Sequence, residues 1–202
     1  MVAALHSLDR RPVLADRLPA VQAKSAALVV AGALLTALAS QIRIPLGFTP
    51  VPINGLTFAA LLVGGALGAA RGAASIGLFW VLGAVGLPFF QAGNGGWTYA
   101  TGATGGYLVG SIVAAAAVGW VAERGGDRRI VTSVTAMILA NVLLIWVPGT
   151  LWLSHVVGVP VFGGEQSGWA MGIEPFIAGD MFKMALAGLL LPVTWRFVGD
   201  DS

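Results

Sequence analysis

The sequence predicts an all-α integral membrane bundle of six transmembrane helices, and three observations carry that reading. First, 57% of its 202 residues are hydrophobic and only 10% are charged, where a soluble domain carries roughly 25%. Second, the few charges are spaced so that the runs between them are long enough to cross a bilayer, which takes about 20 apolar residues per helix. Third, when those runs are threaded as alternating spans, almost every Lys and Arg falls on one side. The 29 glycines and 10 prolines are dispersed through apolar runs, which fits neither a collagen repeat nor a disordered polar tract.

A charge buried in lipid costs at least about 2.5 kcal/mol, so charge-free runs delimit the spans. Residues 25–42 lie between Lys24 and Arg43 and predict the first helix. Residues 44–70 and 72–122 are also free of charge. The second of these runs must hold two spans, because its middle (88–106) carries six glycines among Gln91, Asn94 and Thr98, a loop composition. The predicted helices are therefore 25–42, 55–70, 72–88, 104–122, 130–147 and 176–197. The fifth is closed by Pro148-Gly149. The second and third are short for a core of about 30 Å and predict a tight turn around Arg71 or local thinning of the bilayer. Residues 1–24 form a cytoplasmic N-terminal segment, and 25–198 one six-helix transmembrane domain. Arg10-Arg11, the apolar run and Ala37-Leu38-Ala39 imitate a secretory signal. Cleavage there would leave five spans and upset the charge sorting, so the segment reads as retained.

Six spans place Arg10, Arg11, Arg17, Lys24, Arg71, Arg124, Arg128, Arg129 and Arg196 on one side and Arg43 on the other, with Lys183 inside the sixth span. The excess marks the cytoplasmic side, so a multi-pass protein of the cell membrane with both termini cytoplasmic is expected.

Small residues suit close helix packing. Gly64, Gly68 and Gly72 recur every four positions, as do Gly102, Gly106 and Gly110. Ala27/Ala31 and Ala33/Ala37 form similar pairs in the first span, fit for internal packing or for docking a partner helix. Trp97, Trp120, Trp146, Trp152, Trp169 and Trp195 read as interfacial belts.

Polar chemistry concentrates on the outer side. One outer connection (44–52) has three prolines and Thr49; the next (88–103) has Gly93-Asn94-Gly95-Gly96, where the backbone can approach a ligand closely and Asn94 offers donor and acceptor. The third (148–174) includes a short helix at 150–157. The sharpest feature is Asp180-Met181-Phe182-Lys183: three residues apart on a helix, carboxylate and ammonium share one face, and at that depth they belong inside the bundle. Tyr107, one turn into the fourth span, can present ring and hydroxyl to the same cavity. The candidate substrate-binding residues are Asp180, Lys183, Asn94, Tyr107, Thr49 and Gly93. Gln41 and Asn141 read as satisfying neighbouring helices, Arg43 as interfacial, and Glu165 and Glu174 as solvated.

Other chemistries are poorly served. His155 stands apart from His6 and there is no cysteine, so no metal site is expected. No catalytic residue is expected either, since Gly-x-Ser-x-Gly and His-Glu-x-x-His are absent, and no phosphate-binding Gly-x-x-x-x-Gly-Lys loop is present. A net charge of +2 argues against nucleic acid. An intramembrane hydrolase built on Asp180 is a distant alternative.

These motifs resemble the BioY family, the biotin-specific substrate-capture (S) components of energy-coupling factor (ECF) transporters. The resemblance runs over residues 25–197 through Pro50-Val51-Pro52-Ile53, Pro88-Phe89, Gly93-Asn94-Gly95-Gly96, Thr104-Gly105-Gly106-Tyr107 and Pro175-Phe176-Ile177-Ala178-Gly179-Asp180-Met181-Phe182-Lys183. It implies six S-component-like helices, a biotin pocket closed by outer loops, and a complex with a transmembrane coupling protein and two ABC-type ATPases. The ATP is then used by those partners only, and no cofactor is needed here. It also implies that small residues of the first helix touch the coupling protein. The sequence departs from the family at Asn54-Gly55-Leu56-Thr57, where Thr-Leu-Gln-Thr is usual, and at Ala103, where proline is usual. A solitary biotin carrier and an S component for another vitamin are the alternatives within transport.

Overall fold

The charge-free runs fold into six long helices in a computed structural model that describes residues 11–17 and 22–199. They are α1 (Gln22–Gln41), α2 (Leu56–Leu67), α3 (Ala69–Ala84), α4 (Gly105–Ala122), α5 (Ile130–Val157) and α6 (Ile177–Val198). The α4, α5 and α6 segments are long and apolar enough to cross a membrane, and α1 to α3 are shorter apolar helices. Exposed leucines, valines and phenylalanines cover the outside of the bundle, as expected of side chains facing lipid.

The central helix is α4, which packs against α2, α3 and α5. Its glycines make this possible. A Cβ at Gly119 would strike the backbone at Gly68 and Ala69, one at Gly110 would strike the carbonyl of Leu144, and one at Gly64 of α2 would strike the carbonyl of Ala115. The main core, including Leu61, Val118, Met137, Met184 and Leu191, fills the space enclosed by α2, α4, α5 and α6.

Three features differ from the sequence expectation. The glycines at 64, 68 and 72 do not form a stripe on one helix. Gly68 alone joins α2 to α3, at φ 87° and ψ 173°, and Gly64 faces Gly72 across the resulting hairpin. A conformation with positive φ at a one-residue corner is open to glycine at little cost. The turn lies at Gly68 rather than at Arg71. Next, Pro148-Gly149 does not close the fifth helix, which runs 28 residues and absorbs the expected 150–157 helix; the third outer connection begins at Gly158, a left-handed cap. The proline is tolerated because a π-helical stretch, Asn141–Trp146, immediately precedes it. The wider turn opens the backbone where the proline ring would clash. Third, the first outer connection carries a two-stranded antiparallel ribbon, β1 (Arg43–Ile44) with β2 (Ile53–Asn54), in the register Arg43↔Asn54 and Ile44↔Ile53.

At the arginine-rich end, Glu123 Oε1 accepts the Ala69 N–H at 2.7 Å, placing a carboxylate at the N-terminus of α3, where the helix dipole favours it. Residues 11–17 belong to this folded end. Val13 is fully buried, Asp16 pairs with Arg71 at 2.6 Å, and the Arg11 N–H reaches the Glu123 carbonyl at 2.8 Å. The expected boundary at residue 24 falls inside α1. Trp195 is buried here, with its indole N–H on Asp127 Oδ2 at 2.6 Å. Arg10 and Lys24 of the charge sorting lie outside the residues whose side chains are described.

Gly64→Val forces a branched side chain into the Ala115 carbonyl and apart from Gly72. It is expected to cost about 1–3 kcal/mol, read as a lower thermal midpoint of the detergent-purified protein. Gly77→Ala, facing open space in α3, leaves the midpoint unchanged or raises it.

Candidate functional site

A cavity lies at the end of the bundle opposite the arginine cluster, where α1 and α3 end and α2, α4 and α6 begin. It holds roughly 590 Å³ of unfilled space, counting its mouth. Apolar walls come from Val51, Leu56, Phe79, Phe90, Leu108 and Phe176, and polar side chains interrupt them at a few points. This mixture is usual for small-molecule sites.

Asp180 and Lys183 both line it. Asp180 is in the first turn of α6, where the positive helix end favours a carboxylate, and it is 3% exposed. Its Oδ1 accepts from Lys183 Nζ at 2.7 Å. Its Oδ2 accepts from Trp146 Nε1 at 2.9 Å and Asn141 Nδ2 at 3.3 Å. Trp146 and Asn141 stand five residues apart on α5. In a regular α-helix, at 3.6 residues per turn, positions five apart point about 140° away from each other. The π stretch, bonded i→i+5, brings them to one carboxylate. The same backbone irregularity that admits Pro148 therefore builds the site.

Lys183 also donates to the Asn54 carbonyl in β2 at 2.8 Å. A carboxylate has about four acceptor positions and an ammonium three donors. Three donors reach Asp180 and two acceptors take Lys183, which leaves one acceptor position on Oδ1 beside one free N–H of Lys183. Among the described residues the pair thus keeps one acceptor position and one donor uncommitted in side chains that line the cavity.

Tyr107 lines the cavity with its ring. Its hydroxyl is taken elsewhere, donating to the Gly172 carbonyl at 2.8 Å and lying 3.2 Å from Thr150 Oγ1. A Cβ at Gly149 would strike the Tyr107 ring, and one at Gly172 would strike its hydroxyl. Two glycines thus clear the space the tyrosine occupies.

Thr49, Gly93 and Asn94 do not line the cavity. Thr49 is buried and donates to the Met171 carbonyl at 2.9 Å, tying the first outer connection to the third. Asn94 is exposed and donates back to the Gln91 carbonyl at 2.7 Å. Gly93, at φ 67°, gives its N–H to Gln41 Oε1 at 2.9 Å. Gln41 is thus a loop clamp rather than a helix partner, since its Nε2 also donates to the carbonyls of Phe89 and Phe90. The clamp seats Phe90, which is 1% exposed, edge-on to Phe79 and stacked on Tyr99. The glycine-rich connection is pinned down as a roof.

Asn141 satisfies a neighbouring helix, as expected, through Asp180 of α6; Trp146 was not expected here. The tryptophan looked interfacial because Pro148-Gly149 looked like a helix end; Trp97, Trp120, Trp152 and Trp169 are exposed, but Trp146 and Trp195 are internal clasps. Asn54 and Gln91 also line the cavity and approach one another at 3.4 Å. No cluster with metal-binding character occurs among the described residues.

Residues 12–200 match the BioY family. A probable biotin transporter BioY of Pyrococcus horikoshii is 33% identical over 171 residues, covering 84% of this chain and 95% of that one. A biotin transporter BioY of Rhodobacter capsulatus is 36% identical over 165 residues, covering 78% and 85%. The crystal structure of the S-component for biotin from an ECF-type ABC transporter shares the fold, with a TM-score of 0.77 at 24% identity over 88% of this chain and 95% of the other.

Trp146→Phe keeps the ring but removes a donor from a buried charge. It is expected to lower stability by about 1.5–3 kcal/mol, read from thermal unfolding in detergent. The loss should shrink in an Asp180→Asn background, where there is no charge left to satisfy.

Proposed function

The chain belongs to the BioY family, and we propose that it binds biotin from the outer side of the membrane as the substrate-capture subunit of an ATP-driven vitamin uptake system. The observation that carries this reading is the acceptor and donor left side by side by Asp180 and Lys183. A cyclic urea presents an N–H beside a C=O along one edge, so Oδ1 of Asp180 can accept the N–H while Lys183 donates to the oxygen. The thioether ring then rests on the apolar wall, against the ring of Tyr107. Thr49, Gly93 and Asn94 serve behind the contact surface, holding the connections that roof it. The names of the relatives, biotin transporters, support the ligand.

The excess of arginine at the opposite end supports an orientation with the cavity outward and both termini cytoplasmic. ATP has no site in this sequence, so its energy comes from ABC-type ATPases acting through a transmembrane coupling protein. Ala33 and Ala37 are buried within the bundle, whereas Ala27 and Ala31 are exposed on α1. That exposed small-residue pair is the face of α1 assigned to the coupling protein.

Isothermal titration of the purified protein with biotin is expected to give saturable heat. Lys183→Met should weaken binding by about tenfold or more, the worth of one charged hydrogen bond. No heat from the unsubstituted protein refutes the ligand. Because the chain has no cysteine, orientation can be read directly. Asn94→Cys should react with a membrane-impermeant maleimide in intact cells, and Arg124→Cys only after lysis.

A further inference from the structure

The corner between α4 and α5 (123–129) sorts its charges by sign. Both acids are buried: Glu123 is 7% exposed and Asp127 is 2% exposed. The first is committed to the Ala69 N–H and the second to Trp195 and Arg128. Three arginines stay outside. The Arg11 backbone is bonded to Glu123, and its guanidinium lies over Gly125, where a Cβ would stand 3.2 Å from Nη1. Arg124 lays its guanidinium on the Trp120 ring, 3.5 Å from the centroid, and gives one N–H to the Trp120 carbonyl at 3.1 Å. Arg129 stands just before α5. All three are exposed, and none forms an ion pair among the described residues.

Stacking on an indole orders a guanidinium without cancelling its charge. A guanidinium has five N–H donors in a planar fork, a shape that matches a phosphate, and Arg124 has committed only one of them among the described residues. The surroundings of the corner say where such a phosphate would lie. Trp120, Ile130 and Val131 are exposed on the two membrane-crossing helices, each within about one turn of Arg124 or Arg129. Exposed apolar side chains directly beneath exposed cations give the profile of a lipid, with its chain against the first and its headgroup against the second. A soluble anion would use the cations and leave the apolar wall untouched.

We infer that the α4–α5 corner binds an anionic phospholipid, its phosphate held by Arg11, Arg124 and Arg129 and an acyl chain lying along Trp120 and Val131. The site is at the opposite end of the bundle from the cavity and does not depend on what fills that cavity. It fastens the lipid where the buried acids hold the helix ends together, so the same loop that closes the bundle inward grips the membrane outward.

The test offers the detergent-purified protein equal amounts of phosphatidylglycerol and phosphatidylcholine in mixed micelles and reads the lipid it retains by native mass spectrometry. Phosphatidylglycerol is expected to be preferred, and the preference should fall as salt screens the arginines. Arg124→Gln and Arg129→Gln should each weaken phosphatidylglycerol by about fivefold, the worth of one arginine at an anionic surface. Neither should change the retention of phosphatidylcholine or the thermal midpoint measured in phosphatidylcholine alone, since neither side chain holds the fold by an ion pair. Arg196→Gln removes an exposed arginine of α6 outside the corner and should leave the preference as it was. The inference is overturned if both lipids are retained equally, or if Arg196→Gln weakens phosphatidylglycerol as much as Arg124→Gln, which is the sign of diffuse net charge. It is overturned as well if inorganic phosphate displaces the lipid, which makes the site one for a soluble anion, or if neither lipid is retained, which leaves the arginines to an acidic protein surface.

Discussion

One carboxylate sets the terms for the cavity end of this protein. Asp180 is all but sealed from solvent, and an unpaired ionised group there would cost several kcal/mol. Three side chains from two helices converge on it: Lys183 from α6, and Trp146 and Asn141 from α5. To deliver the last two, α5 changes its helical pitch for six residues. The ammonium of Lys183 in turn reaches across to the Asn54 carbonyl, fixing the ribbon that precedes α2. Satisfying a single charge thus aligns α2, α5 and α6 around the space a solute would fill.

The opposite end of the same helix pair is fastened in a similar way with the roles exchanged. Near the cavity end an aspartate of α6 takes the indole N–H of a tryptophan on α5. At the other end Asp127, just before α5, takes the indole N–H of Trp195 on α6. Each aspartate has a basic neighbour, Lys183 in one case and Arg128 in the other. The two antiparallel helices are therefore pinned top and bottom, and sliding one along the other would break both clasps. The clasp at the arginine-rich end keeps its cation over the Trp195 ring, whereas both charged members of the other line the cavity.

The six spans, the side that carries the arginines and the Asp180–Lys183 pair were legible in the sequence because each depends on local spacing and on the cost of charge in lipid. Loop residues were not. Thr49 finds its partner 122 residues away, and Asn94 turns outward onto its own loop; composition marks such residues as polar without saying where they point. Trp146 was misread because Pro148-Gly149 reads as a stop, and only the backbone shows the π turn that lets the helix go on. Gly68 was grouped with its neighbours by spacing, although it is the corner between two helices. The departures at Asn54, Gly55, Leu56 and Ala103 were visible at once, but that Asn54 meets Gln91 inside the cavity depends on the folded connection.

The one-residue corner at Gly68 also has a mechanical side. Helix α2 has 12 residues and α3 has 16, lengths of about 18 and 24 Å at 1.5 Å per residue, against about 42 Å for the 28 residues of α5. Of the two short helices only α3 has exposed residues, so lipids beside it meet a shorter apolar wall than those beside α5. Tilting or a dimple relieves the mismatch at a small cost per ångström, and the dimple shrinks when another short-belted protein moves alongside. The sheet of lipid itself would then favour company beside α3, before any side chain touches.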